Sequence, residues 1–259
     1  MSARSNLRAA ATLLAVAFVG LAPRFAAGQE RQEVLYGRHQ TFESPQHFAF
    51  EARFSGFTPE IDSDPNLQGK TPYGDTFGTS ARLLFSAELD WQAARIPHVG
   101  TIGPGLAIGY ASMSDPAQFE PPRSGASGET TTLEIFPFYA VGVLRADALW
   151  RELHVPLVPY AKVGLSMALW RASNTLGTSH AQGISGLGRS FGTQIGLGLG
   201  FNLNVLDDYA ARNFDDSMGV NATYLFAEWT RADYNGLWFQ SDPLRVGASY
   251  WTFGLTFEF

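Results

Sequence analysis

Eight stretches of this chain alternate apolar residues with small, polar or charged ones at every second position. Each is long enough for the roughly 9–11 residues a tilted strand needs to cross a bilayer. The end of the chain, "SYWTFGLTFEF", is the plainest case. Trp251, Phe253, Leu255, Phe257 and Phe259 fall on one parity, and Tyr250, Thr252, Gly254, Thr256 and Glu258 on the other. Soluble domains usually end in frayed polar residues, so an aromatic-tipped strand raises the question of what its greasy face touches.

The other seven runs follow the same rule. The first sets Phe48, Phe50, Ala52 and Phe54 against Glu51, Arg53 and Ser55. In the second, Leu83, Phe85, Ala87, Leu89 and Trp91 oppose Arg82, Leu84, Ser86, Glu88 and Asp90. The third sets Ile102, Pro104, Leu106, Ile108 and Tyr110 against Gly103, Gly105, Ala107 and Gly109. The fourth is read with Leu133, Ile135, Pro137, Tyr139, Val141 and Val143 as the greasy face and Glu134, Phe136, Phe138, Ala140 and Gly142 as the other. In the fifth, Ala161, Val163, Leu165, Met167 and Leu169 oppose Tyr160, Lys162, Gly164, Ser166 and Trp170. The sixth alternates Ile195, Leu197, Leu199, Phe201 and Leu203 with Gln194, Gly196, Gly198, Gly200, Asn202 and Asn204. The seventh sets Leu225, Ala227 and Trp229 against Tyr224, Phe226 and Glu228.

Composition limits the alternatives. Charged residues make up 16% of the 259, against roughly a quarter in soluble domains. Beyond the N-terminal segment, no run approaches the roughly 20 apolar residues of a spanning helix, and mean hydropathy is only −0.06. The start, "MSARSNLRAAATLLAVAFVGLAPRFAAG", has basic Arg4 and Arg8, an apolar stretch Ala9 to Leu21 and a small-residue cleavage site. We read residues 1–28 as a secretory signal peptide, residues 29–46 as a polar periplasmic arm and residues 47–259 as one barrel domain. The absence of cysteine excludes a lipoprotein anchor, disulfides and thiolate metal sites. Three of the 18 Lys and Arg residues and none of the 24 acids fall in the first 28, so the mature chain carries 15 bases against 24 acids, a net −9. That balance argues against nucleic acid as a partner.

The spacers alternate in length. Residues 60–78, 113–130, 172–189 and 233–244 are long and rich in Gly, Pro, Ser and Asp, whereas "AARIPH" and "RELHVP" are short. A third spacer of the second set, "VLDDYAARNFDDS", is longer and is predicted to form one or two helical turns from about Asp207. Long loops at one end and mostly short turns at the other is the asymmetry of outer-membrane barrels. A soluble β-sandwich or lipocalin-like barrel would turn its greasy face inward and its other face to water. Here the other faces hold glycines and aromatics with few lysines, which suits a narrow interior better than a solvated surface. In an eight-stranded barrel, the glycines of strand three are expected across from Tyr224 and Phe226, and those of strand six across from Arg82, Leu84, Glu88 and Asp90. The same glycines also ease strand bending.

At this point the chain resembles bacterial outer-membrane β-barrel proteins, whose assembly machinery recognises a terminal strand of alternating hydrophobics ending in Phe. "LTFEF" fits that pattern. "PLVPYAKVGLSMALW" and "MGVNATYLFAEW" are similar to a family of small outer-membrane barrels of unassigned function, and the strand count is that of the OmpA, OmpX and OmpW barrels. The resemblance implies an eight-stranded antiparallel transmembrane β-barrel in the bacterial outer membrane. Its implied partners are outer-membrane lipid, periplasmic chaperones and the barrel-assembly machinery. It implies no activity.

Chemistry is sparse. Of the five histidines only His180 falls in an outer loop, beside Ser179 and near Ser185, and a solvated loop histidine explains it without a catalytic dyad. Asp62, Asp64 and Asn66 have the opening spacing of a calcium loop, but Leu67 and Tyr73 stand where Gly and Glu are required. We therefore expect no enzyme, cofactor or metal. The charges on the inward parity are Glu51, Arg53, Arg82, Glu88, Asp90, Glu134, Lys162, Glu228 and Glu258. Buried charges must pair or hold water. The set reads as an internal salt-bridge plug or as a narrow, gated, cation-preferring path, with Glu134 and Glu228 as the expected partners of Lys162.

Overall fold

The computed structural model describes residues 47–118, 125–175, 177–181, 184–238, 240 and 243–259. The segments read as signal peptide and periplasmic arm lie outside these residues. Eight long strands build the fold: β1 (Phe48–Phe57), β2 (Arg82–Trp91), β3 (Gly100–Gln118), β4 (Ala126–Arg145), β5 (Leu157–Asn174), β6 (Leu187–Asn202), β7 (Ala222–Asp233) and β8 (Ala248–Glu258). Each pairs antiparallel with its chain neighbour. β8 returns to pair with β1 from Ala49↔Glu258 to Ser55↔Thr252, so the sheet closes. Closure leaves no sheet edge at membrane depth, which a lipid-embedded sheet requires.

The alternation sorts the side chains. Large apolar residues stay exposed on the outside of all eight strands, among them Phe54, Phe85, Leu106, Leu144, Val163, Leu197, Leu225 and Trp251. A typical soluble monomer exposes one apolar patch of at most a few hundred Å². A continuous apolar exterior around a closed sheet with a charged interior is the inside-out arrangement of a membrane barrel.

One face assignment is corrected. On β4 the buried residues are Leu133, Ile135, Tyr139, Val141, Val143 and Arg145, and the outward ones are Glu134, Phe136, Phe138, Ala140, Gly142 and Leu144. Both faces of β4 are apolar, so its alternation is ambiguous. Arg145 decides it, because only the inward face offers that guanidinium carboxylates.

The wall is uneven in height. β3 to β6 run 19, 20, 18 and 16 residues, against 10 to 12 for the others. At about 3.3 Å per residue the long strands exceed the membrane and stand above it. The stretches expected as loops at 113–130 and 172–189 are therefore partly sheet. The β-branched run Thr130 to Thr132 continues β4, and Thr132 meets Ser114 hydroxyl to hydroxyl at 3.0 Å.

Among the described residues three α-helices lie in the connections, besides short 3-10 turns: α1 (Pro72–Phe77) above the outer mouth, and α2 (Ala148–Leu153) and α3 (Asp208–Met218) at the inner end. α3 has three turns rather than one or two. The Asp207 carboxylate accepts the N–H groups of Tyr209 and Ala210, and Gly219 at φ 70° closes the last turn.

Candidate functional site

The interior is stacked in layers, and its middle layer is ionic. Glu51 and Arg53 come from β1, Glu88 and Asp90 from β2, Arg145 from β4, Lys162 from β5 and Glu228 from β7. Each is buried. The Lys162 ammonium lies 2.8 Å from Glu51, 2.6 Å from Glu88 and 3.3 Å from Glu228. Arg53 reaches Glu51 at 2.5 Å, Glu88 at 2.9 Å and Glu228 at 2.5 Å. Arg145 joins Glu51 at 2.5 Å and Asp90 at 2.6 Å. The Thr230 hydroxyl donates to Glu228 at 2.7 Å. These pairs tie five of the eight strands across the barrel. With all groups ionised, four carboxylates face three cations. Oxygens of Glu51, Glu88 and Asp90 lie within 4.8 Å of one another, but three basic side chains already occupy the space between these acids.

The neighbouring layers are less charged. Toward the inner end Glu258 accepts from Gln92 at 2.9 Å and from the Tyr224 hydroxyl at 3.0 Å, at the register level of Asp90 and within reach of the charge of Arg145. Toward the outer end the Tyr139 and Tyr250 hydroxyls meet at 3.2 Å, and Phe57 packs edge-on against Tyr250. Beyond them lie Leu84, Met113, Leu133, Ile135 and Val246, covered by Ile61, Tyr73 and Phe77 from the first outer loop. That loop is tied down. The Asp62 carboxylate accepts the Tyr73 and Gly74 N–H groups at 2.8 Å each, and Asp64 accepts from Asn66. The acids with the calcium-loop spacing thus cap turns. Arg82 holds the Phe77 carbonyl at 2.8 Å and pairs with Asp115. Burial raises the Tyr73 phenol above its ordinary value.

Of the nine charges assigned to the interior, six meet in the middle layer. Glu258 is interior and feels the charge of Arg145 without a salt bridge to it, and Arg82 sits at the outer rim. Glu134 is a correction: it lies on the outer surface, where Tyr110 donates to it at 3.1 Å and Arg171 approaches to 3.6 Å. It is not a partner of Lys162. Arg145 was missed because its strand was assigned the opposite face, although a lone arginine on an otherwise apolar face signals inward pointing.

The glycines work between neighbours rather than across the lumen. A Cβ on Gly198 would lie 2.2 Å from the ring of Tyr160, its register partner on β5, and one on Gly188 would lie 2.3 Å from that of Trp170. Paired residues have Cβ atoms only about 5 Å apart. A bulky inward side chain therefore leans over its partner, and that partner has to be small.

The C-terminal residues Trp251, Phe253, Leu255, Phe257 and Phe259 all lie on the outward face. Phe259 stacks on Phe48 with ring centroids 6.3 Å apart, and Phe253 meets Phe54 at the same separation. The Phe259 carbonyl accepts from Phe48 N–H at 2.9 Å, sealing the β8–β1 seam. His98 and His154 stand in the inner turns, where His98 meets Glu152 at 2.9 Å. The side chain of His180 lies outside the described residues.

An outward apolar belt, a paired ionic interior and a closed seam are now together. The fold is that of an outer-membrane β-barrel. No family model matches the chain, and no curated protein matches it. Among solved structures it is similar to the outer membrane protein OprG from Pseudomonas aeruginosa, at 11% identity and TM-score 0.44, covering 83% of this chain and 96% of that one. It is also similar to Ail, the attachment invasion locus protein of Yersinia pestis, at 12% identity and TM-score 0.38, covering 83% and 97%. A third is the N-terminal β-barrel domain of Pseudomonas aeruginosa OprF, at 13% identity and TM-score 0.37, covering 83% and 98%.

Proposed function

We propose that this protein is a non-enzymatic component of the outer membrane whose interior is closed to ions and which acts through its outer loops. The middle layer carries the reading. A charge inside a protein persists only when paired, and here each of seven charged side chains is buried and paired. An ion crossing this layer would have to break several such pairs at once. The apolar stack under the first outer loop offers that ion no replacement for its water. What remains exposed to the outside is the tall β3–β6 wall and the outer loops, including exposed Trp238.

During biogenesis, periplasmic chaperones and the barrel-assembly machinery engage the chain, the latter through β8 and Phe259. A second reading is a narrow path for cations or small solutes, which the acid excess of the middle layer favours. Planar-bilayer recording of refolded protein separates the two. The closed reading expects no unitary current steps at any voltage the bilayer tolerates, and reproducible cation-selective steps would overturn it.

A further inference from the structure

The outward row on β6, Ile195, Leu197 and Leu199, belongs to the lipid-facing belt. Apolar residues continue past the end of the strand, interspersed with Asn204 and the Asp207–Asp208 pair. Val205 and Leu206 are exposed, and α3 follows with Phe214 and Met218 exposed four residues apart, hence on one face. Ala210 lies one turn before Phe214 on the same face. Arg212, Asn213 and Asp216 take the opposite arc, and all three are exposed. Ala211 and Asp215, between the two arcs, are the half-covered positions. Leu206 and Met218 are 71% and 69% exposed. On the neighbouring inner turn, Leu149 and Leu153 of α2 are likewise exposed and four apart.

We propose that Leu206 and α3 form an interfacial anchor lying in the inner leaflet at the boundary of headgroups and acyl chains. Phe214 and Met218 point to lipid, and Arg212 and Asp216 point to water. Adjacency to the belt selects this occupant: Leu203, Val205 and Leu206 carry its apolar surface past the end of β6, and α3 begins directly after them, across Asp207 and Asp208. The charge selects the headgroup. Asp207, Asp208, Asp215 and Asp216 outnumber Arg212, so an anionic leaflet repels the segment and a zwitterionic phospholipid accepts it.

The chain contains no cysteine, so single labels can be placed directly. Phe214→Cys, Met218→Cys, Arg212→Cys and Asp216→Cys are labelled with an environment-sensitive fluorophore and refolded into vesicles of zwitterionic phospholipid. Folding is checked by heat-modifiable gel mobility. The labels at 214 and 218 should shift to the blue and be quenched by nitroxide-bearing lipid. Those at 212 and 216 should be quenched by aqueous iodide. Equal iodide quenching at all four positions, with no response to nitroxide lipid, would place the helix in water and overturn the proposal in favour of a protein partner. On the unmodified protein, amide exchange in α3 should be slower in zwitterionic vesicles than in vesicles rich in anionic lipid. Equal exchange in the two would refute the headgroup preference.

Discussion

Lys162→Met is the sharpest perturbation of the interior. Methionine keeps an unbranched chain of nearly the same length, so the change removes the charge while leaving little cavity. The ammonium touches Glu51, Glu88 and Glu228 at 2.6 to 3.3 Å, and its side chain is fully buried. Without it, four carboxylates face two arginines. Breaking a buried pair by removing one partner costs about 3–5 kcal/mol. With a urea slope of about 2 kcal/mol/M, the midpoint of reversible unfolding in detergent or lipid should fall by about 2 M. Adding Glu88→Gln restores the original difference between acids and bases and should recover part of the loss. Adding Glu134→Gln should recover nothing, because Glu134 is outside the barrel. An unchanged midpoint for the single variant, or equal rescue by the two second changes, would refute the placement of Lys162.

Three further outcomes are expected. Gly198→Ala puts a methyl group against the Tyr160 ring and should destabilise the barrel by about 1–3 kcal/mol, read as a lower unfolding midpoint; a neutral result would mean that Tyr160 swings away freely. Phe259→Asp places a charge at the seam against Phe48, and this variant should fail to reach the outer membrane, losing its heat-modifiable gel shift; normal yield would refute the terminal-signal reading. Trypsin added to intact cells should cut after exposed Lys70 in the first outer loop, whereas Arg95 and Arg151 in the inner turns should be cut only after permeabilisation. The reverse pattern would invert the topology.

The sequence was readable where one face of a strand was plainly greasy and the other plainly not. The faces of β1, β2, β3, β5, β6, β7 and β8 agree with it, because residues such as Glu51, Lys162 and Glu228 have no stable place in lipid. On β4, Leu133, Ile135, Val141 and Val143 line one face and Phe136, Phe138 and Leu144 the other, so local periodicity held no information. The choice rests on Arg145, whose partners Glu51 and Asp90 come from distant parts of the chain. The heights of β3 to β6 were hidden for a related reason. "SDPAQ" and "TTT" read as loop and strand fragments alone, and they extend the sheet only because they pair with each other. The small-against-large packing was visible as a composition but not as a geometry, since register partners such as Gly198 and Tyr160 emerge only once β5 and β6 are aligned.

A spin-label scan of β4 tests most directly whether the interior is sealed and the exterior lipid-bound. Single cysteines at positions 135–144 are labelled one at a time in refolded protein in lipid. Collision rates are then measured with oxygen, which partitions into the bilayer, and with a water-soluble nickel chelate. The account predicts strict alternation: even positions open to oxygen, odd positions closed to both reagents. Odd positions open to the nickel chelate would mean a water-filled lumen, and odd positions open to oxygen would mean that β4 faces the other way; either result would contradict it.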